Sequence, residues 1–166
     1  MLTIRQERLR SNILSQQPDS SVQSLRVTPV VTCFLTRSDG NNPRLLIVRR
    51  SSRVGSYHGQ WAGVSGFIEA DTTPEEQAYT EIREETGLQR EQVRVLRRGA
   101  VVEHIDAELG RHWYIHPFLF ETLVPDAIRI DWEAEEMRWI DPLELQNYET
   151  LPKLVEAYTS AVNGEK

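Results

Sequence analysis

Three carboxylates, Glu81, Glu84 and Glu85, crowd the end of the run Gly-Phe-Ile-Glu-Ala-Asp-Thr-Thr-Pro-Glu-Glu-Gln-Ala-Tyr-Thr-Glu-Ile-Arg-Glu-Glu-Thr-Gly-Leu, residues 66 to 88. The residue types predict a helix over 74–86. Thr73 is a plausible N-cap, Pro74 fits the first helical position, and Glu76 stands three residues after Thr73, as in a capping box. Ala78 and Ile82 repeat at i,i+4 as a buried stripe, and Gly87 supplies a left-handed stop on which Leu88 can pack. The acidic trio therefore lies at the helix's carboxyl end, where free carbonyls already carry partial negative charge. Glu81 is also a like-charge neighbour of Glu84 at i,i+3 and of Glu85 at i,i+4. A sequence that accepts both penalties has a cation to place there.

At roughly 100° per residue, positions 81, 84, 85 and 88 share one side of the helix, beside the Gly66 loop. Clustered hard oxygen ligands suit Mg²⁺ or Mn²⁺, and Mg²⁺ typically bridges a few carboxylates to substrate phosphates. The bland alternative is a solvated acidic face, in a chain with 25 acidic and 19 basic residues. Spacing, placement and the flanking glycines together favour the metal. The four histidines, at 58, 104, 112 and 116, show no zinc-ligand spacing.

The segment resembles the Nudix box, the signature of Mg²⁺-dependent hydrolases of nucleoside diphosphates linked to another moiety. That box reads Gly, five residues, Glu, seven residues, then Arg-Glu-apolar-x-Glu-Glu-x-Gly-apolar. Gly66, Glu81, Ile82, Glu84, Glu85, Gly87 and Leu88 match it, whereas Thr72 stands for the first Glu and Thr80 for the Arg. The resemblance implies that Glu81, Glu84 and Glu85 hold the metal and help activate water, with the Gly66 carbonyl as a further ligand. Glu69 or Asp71 can substitute for the missing Glu; Arg83, one residue after Ile82, points away and replaces the missing Arg poorly. Loss of such an outer partner usually costs about 10- to 100-fold in metal affinity or rate. The late run Trp132-Glu133-Ala134-Glu135-Glu136-Met137-Arg138-Trp139-Ile140 also looks like the family's, and the resemblance offers Glu133 as a further ligand or base. Glu81, Glu85 and Glu133 are equal candidates for the general base. Weaker similarity links Arg-Ser-Ser-Arg-Val-Gly-Ser-Tyr and Gly-Arg-His-Trp-Tyr-Ile-His-Pro-Phe-Leu-Phe to Nudix modules fused to a domain like the regulatory subunits of translation initiation factor 2B; this chain is too short for that second domain.

The elements that must position these groups follow from hydrophobic pattern and turn residues. Strands are expected at 27–36, 44–50, 93–103, 112–122, 128–132 and 136–140, with a short apolar segment at 61–68. Closing helices are expected at 142–147 and 151–162. Residues 1–22 read as an arm or a short amphipathic helix, and residues 23–166 as the domain. Strands outnumbering helices in mixed order give an α+β fold, and the resemblance implies an α/β/α sandwich with mixed sheets in a single domain. Arg50 and Arg53 are candidate phosphate contacts; of Arg49 and Arg50, strand alternation aims only one at the site. Tyr57 can stack on a base, and Trp61 reads as core. His104 and Asp106 are placed in a turn between strands, from which either can reach the cleft.

With 39% hydrophobic residues in 166, the chain builds one domain with a real core. No apolar run nears the roughly 20 residues of a membrane span, and the N-terminus lacks a signal-peptide core, so the expected location is cytoplasmic. A net charge of −6 disfavours broad nucleic-acid binding but not a small anionic substrate brought in by divalent cations. A homodimer is in keeping with the resemblance. The expected function is Mg²⁺-dependent hydrolysis of a diphosphate linkage in a nucleotide-like compound. One rival is a weakened Nudix-fold module that binds a nucleotide or a protein. The other is an isopentenyl diphosphate isomerase, which needs a site cysteine, and Cys33 falls too early in the chain for it.

Overall fold

Two apolar stretches without polar alternation dictate the middle of the molecule. Residues 31–36 and 45–48 are buried throughout, so the strands that carry them must be covered on both faces. In the computed structural model, which describes residues 24–40 and 42–166, these are β1 (Arg26–Asp39) and β2 (Asn42–Arg50). Alternation then divides their side chains between two cores. Val31, Cys33, Leu35, Leu46 and Val48 pack beneath helix α1 (Pro74–Thr86) through Ala78 and Ile82. Phe34, Leu45 and Ile47 pack beneath helix α2 (Leu154–Val162) through Leu154, Ala157 and Ala161. The result is a mixed sheet between two helices, as expected.

The remaining strands are β3 (Trp61–Ala62), β4 (Val64–Phe67), β5 (Val93–Arg98), β6 (Val102–Asp106), β7 (Arg111–Thr122) and β8 (Ala134–Ile140). β1 and β7 run parallel from Arg26↔Arg111 to Thr36↔Glu121, and the other strand pairs among the described residues are antiparallel. On its other edge β1 pairs with β4 through Val30–Cys33 and with β2 only from Thr36 onward. β7 changes partner at the same level, from β6 (through Ile115) to β5 (from Phe118). The sheet divides where its two central strands exchange neighbours, and the principal cavity opens beside that division.

Several expected elements are redrawn by tertiary contacts. The stretch 93–103 is broken at Gly99 into β5 and β6, because α2 passes too close for any side chain there. A Cβ on Gly99 would stand 2.7 Å from the Ala161 nitrogen and the Ser160 carbonyl carbon. Gly99→Ala is therefore expected to cost about 1–3 kcal/mol by overpacking, seen as a lower thermal midpoint with turnover at low temperature retained. The 142–147 segment is a 3-10 turn, and the last helix begins at Leu154. His104 and Asp106 belong to β6 and not to the turn after it.

The segment 128–132 is not a strand. Its amides are taken by α1: Arg129 N–H donates to Thr86 O (2.9 Å) and Asp131 N–H to Glu85 O (3.1 Å). These bonds satisfy carbonyls that the last turn of a helix leaves open. At the other end, Thr73 Oγ1 accepts from Glu76 N–H at 3.2 Å, but Glu76 does not complete the capping box; its carboxylate pairs with Arg90 at 3.5 Å. Gly87 ends the helix with φ 75°. No helix among the described residues is long and apolar enough to cross a membrane. The expectation for residues 1–22 lies outside the described residues.

Candidate active site

A cavity of about 330 Å³ opens beside the carboxyl end of α1. Glu81, Glu84, Gly66, Arg50, Tyr57 and Glu133 line it, as do Glu69, Ser65, Phe67, His104 and Trp113. Glu85 stands immediately behind Ser65, whose N–H donates to its Oε1 at 2.9 Å. The carboxylates thus come from one helix, from the loop before it (Glu69) and from the turn preceding β8, about fifty residues further on in the chain. That turn is built locally. Glu133 N–H donates to Asp131 Oδ1 (2.9 Å), and Ser51 fixes its backbone through N–H to Glu133 O and Oγ to Trp132 O, each 2.8 Å.

The acidic groups are under electrostatic stress. Burial, then Glu133 and Glu81, push the Glu85 carboxyl well above the usual range against the Ser65 bond. Burial also raises Glu81, opposed by its hydrogen bond from Gln77, and raises Glu133, where Asp131 adds to the effect and Arg50 opposes it. Glu84 is exposed and meets Arg83 at 3.4 Å. Carboxylates held out of water without matched cationic partners mark functional sites.

Gly66 explains itself here. Its Cα faces the Glu81 carboxylate so closely that a Cβ would overlap that group. Glu81 Oε1 also accepts from Gln77 Nε2 at 2.8 Å. One oxygen each of Glu81 and Glu85 is thereby engaged by protein donors, and the other is left for a further partner. Among the described residues, no three His, Cys, Asp or Glu side chains close on one point as a finished coordination shell. What suits a hard divalent cation is the donor chemistry: oxygen ligands alone, half-buried, with negative charge in excess.

Of the two arginines at the end of β2, Arg50 faces the cavity. Its Nε donates to Ser56 O at 3.1 Å, and burial lowers its pKa while Glu85 and Glu133 pull it back up. Arg49 is turned outward to Glu135 (2.8 Å) and Glu136 (3.5 Å). Arg53 does not line the cavity: its guanidinium donates to Trp132 O (3.2 Å) and lies 5.6 Å from the Trp132 ring. Trp61 is core, buried against Tyr148. Cys33 lies beneath α1 with Sγ directed at Ala78 O (3.7 Å), so the chain's one thiol is outside the cavity, as an isomerase would not have it.

The wall beside Gly66 is aromatic. Phe67 and Trp113 stack with ring centres 6.2 Å apart at 25°, and Tyr57 lies 6.5 Å from Trp113. Arg111 covers this pair, with Cζ 5.6 Å from the Trp113 ring and 5.9 Å from Phe67. Tyr57 adopts a left-handed backbone (φ 54°) that bulky residues rarely accept, and its hydroxyl donates to Asp106. Burial and the Asp106 partner push that phenol up to about 12. The sequence pattern offered Trp113 only as a half-buried strand residue and gave Phe67 no role. A parallel partnership between β1 and β7, which brings them to one wall, leaves no local trace. Gln77 was also missed, although its place one turn before Glu81 was a legible signal.

A mixed sheet between two helices, with an acidic cavity at the end of a glycine-flanked helix, defines the class as a Nudix-type domain. The NUDIX domain model matches residues 26–159, and the chain belongs to the Nudix family. Solved structures agree on the fold. A Nudix hydrolase from M. smegmatis shares 20% identity with a TM-score of 0.67 over 79% of this chain and 81% of its own. The Ap4A hydrolase of C. elegans shares 12%, with a TM-score of 0.68 over 80% and 93%. The dihydroneopterin triphosphate pyrophosphohydrolase of E. coli shares 18%, with a TM-score of 0.66 over 82% and 96%.

Proposed function

We propose that the protein hydrolyses a diphosphate linkage in a nucleoside diphosphate-linked compound with the help of Mg²⁺ or Mn²⁺. The observation that carries this reading is one cavity holding Glu81, Glu84 and Glu133, with Glu85 behind them, against Arg50 and an aromatic wall. Glu81, Glu84 and Glu85, with the Gly66 carbonyl, would hold the cation. A bound divalent ion neutralises phosphate charge and lowers the pKa of an attacking water. Arg50 grips the phosphate that does not react. Tyr57, Trp113 and Phe67 offer π faces to a base, which stack without regard to its identity. That wall accords with relatives named for Ap4A and dihydroneopterin triphosphate.

Glu133 is the best placed base. Its carboxylate is raised by burial and carries no side-chain hydrogen bond among the described residues, whereas Glu81 and Glu85 each have an oxygen tied to a protein donor. It takes the proton of the water that attacks phosphorus as the bridging oxygen leaves with the bonding electrons.

The test is product release from sugar nucleotides, dinucleotide polyphosphates, nucleoside triphosphates and dinucleotide cofactors, with Mg²⁺, Mn²⁺ or chelator. Metal-dependent cleavage of any of these is expected, with Glu84→Gln weakening metal binding and Glu133→Gln lowering kcat at unchanged metal affinity. A binding module is the second reading, favoured by Thr72 and Thr80 in the box. Thermal stabilisation by a ligand with no turnover of it under either metal would establish that reading instead.

A further inference from the structure

The buried amide of Gln77 joins the acidic helix to the loop facing it. Gln77 lies on α1 one turn before Glu81 and is only 4% exposed. Its Nε2 donates to Glu81 Oε1 at 2.8 Å, and its Oε1 accepts from Glu69 N–H at 3.3 Å. The carboxamide can be oriented in one way only, since a backbone N–H needs the oxygen and a carboxylate needs the nitrogen. Glu69 also lines the cavity and adds to the repulsion felt by Glu81. An apolar residue at a buried helix position would serve the fold as well, because burying an amide is costly unless both ends are bonded. The bonds that justify this amide both lead to the cavity.

We propose that Gln77 is a positioning residue, holding the Glu81 carboxylate against Gly66 and fixing the Glu69 loop so that both face a bound cation. It does this with a neutral amide in a box whose usual arginine position is Thr80. The inference rests on the metal reading above, and its test separates the two.

Metal-free protein is titrated with Mn²⁺ by calorimetry, comparing wild type with Gln77→Met, which keeps the volume and loses both bonds, and Gln77→Ala, which keeps helix propensity should the first variant fold poorly. The expected result is a Kd weakened about 10- to 100-fold, the range for loss of an outer partner of a metal ligand, with a cooperative melting transition retained. A double variant with Glu81→Gln should lose less affinity than the two single losses combined, because Gln77 acts in part through that carboxylate. Wild-type affinity in a folded Gln77 variant overturns this inference alone. Absence of Mn²⁺ binding by the wild type overturns the metal reading and this inference with it.

Discussion

Glu85→Gln is expected to cut turnover steeply and, in the same protein stripped of metal, to raise the thermal midpoint. The carboxylate is almost fully buried, accepts one backbone hydrogen bond and is surrounded by Glu133, Glu81 and Asp131. A glutamine keeps the shape and the bond from Ser65 while removing the charge. Turnover should fall about 10³-fold, roughly 4 kcal/mol at 1.36 kcal/mol per decade, the scale of charge stabilisation that a metal site supplies. Stability should rise by about 1–2 kcal/mol, or roughly 2–8 °C for a chain of this size. The pH dependence has a definite sign. Burial lifts the folded-state pKa of Glu85 above the ordinary 4.5, so wild-type stability is complete below that value and is lost as pH rises through the raised pKa. The variant's advantage should therefore be small near pH 4.5 and grow as pH rises above it. Scanning calorimetry with chelator near pH 4.5 and at pH 8 checks this. A glutamine variant that melts below wild type at pH 8 would show the carboxylate to be a structural partner and not a stressed ligand.

The second large effect is expected from a single methyl group. Gly66 needs no unusual backbone angle, and the three atoms nearest a Cβ there all belong to the Glu81 carboxylate. That group ends a flexible side chain, so Gly66→Ala should be tolerated by the fold while swinging Glu81 out of place. A displacement of about 1 Å at a reacting site can cost on the order of 10²-fold in rate. We expect a loss of that size in kcat, with the thermal midpoint shifted by no more than about 4 °C, roughly 1 kcal/mol. Steady-state kinetics beside a melting curve separates the two quantities. Undiminished kcat would mean that Glu81 does not work from its place against Gly66. Paired with the Gly99→Ala variant, whose cost should fall on stability, it distinguishes a glycine kept for chemistry from one kept for packing.

How far these arguments could be read without the fold depends on the range of the interactions. The helix carrying Glu81, Glu84 and Glu85 was legible because capping, Pro at the first position, a left-handed stop and apolar i,i+4 spacing all act within a few residues. Strands at 27–36 and 44–50 were legible for the same reason, from their apolar runs and the polar turn between them; that both faces of these strands are buried was seen only in the structure. The segment 128–132 was not, because its apolar residues suggested a strand while its amides are claimed by Thr86 and Glu85 from the other end of the domain. Arg53 looked equal to Arg50 as a phosphate contact, yet a turn held by Ser51 sends it out to Trp132.

The sequence by itself therefore determined the acidic helix, its glycine brackets and the family to which the chain belongs. Only the tertiary structure decided which arginine faces that helix, that Glu133 enters the same cavity, that Phe67 and Trp113 form its wall and that Gln77 joins helix to loop. The physical reason is that capping and periodicity are local in the chain. Pairing of β1 with β7, and the docking of the 128–133 turn on the end of α1, bring together residues that share no neighbourhood until the chain has folded.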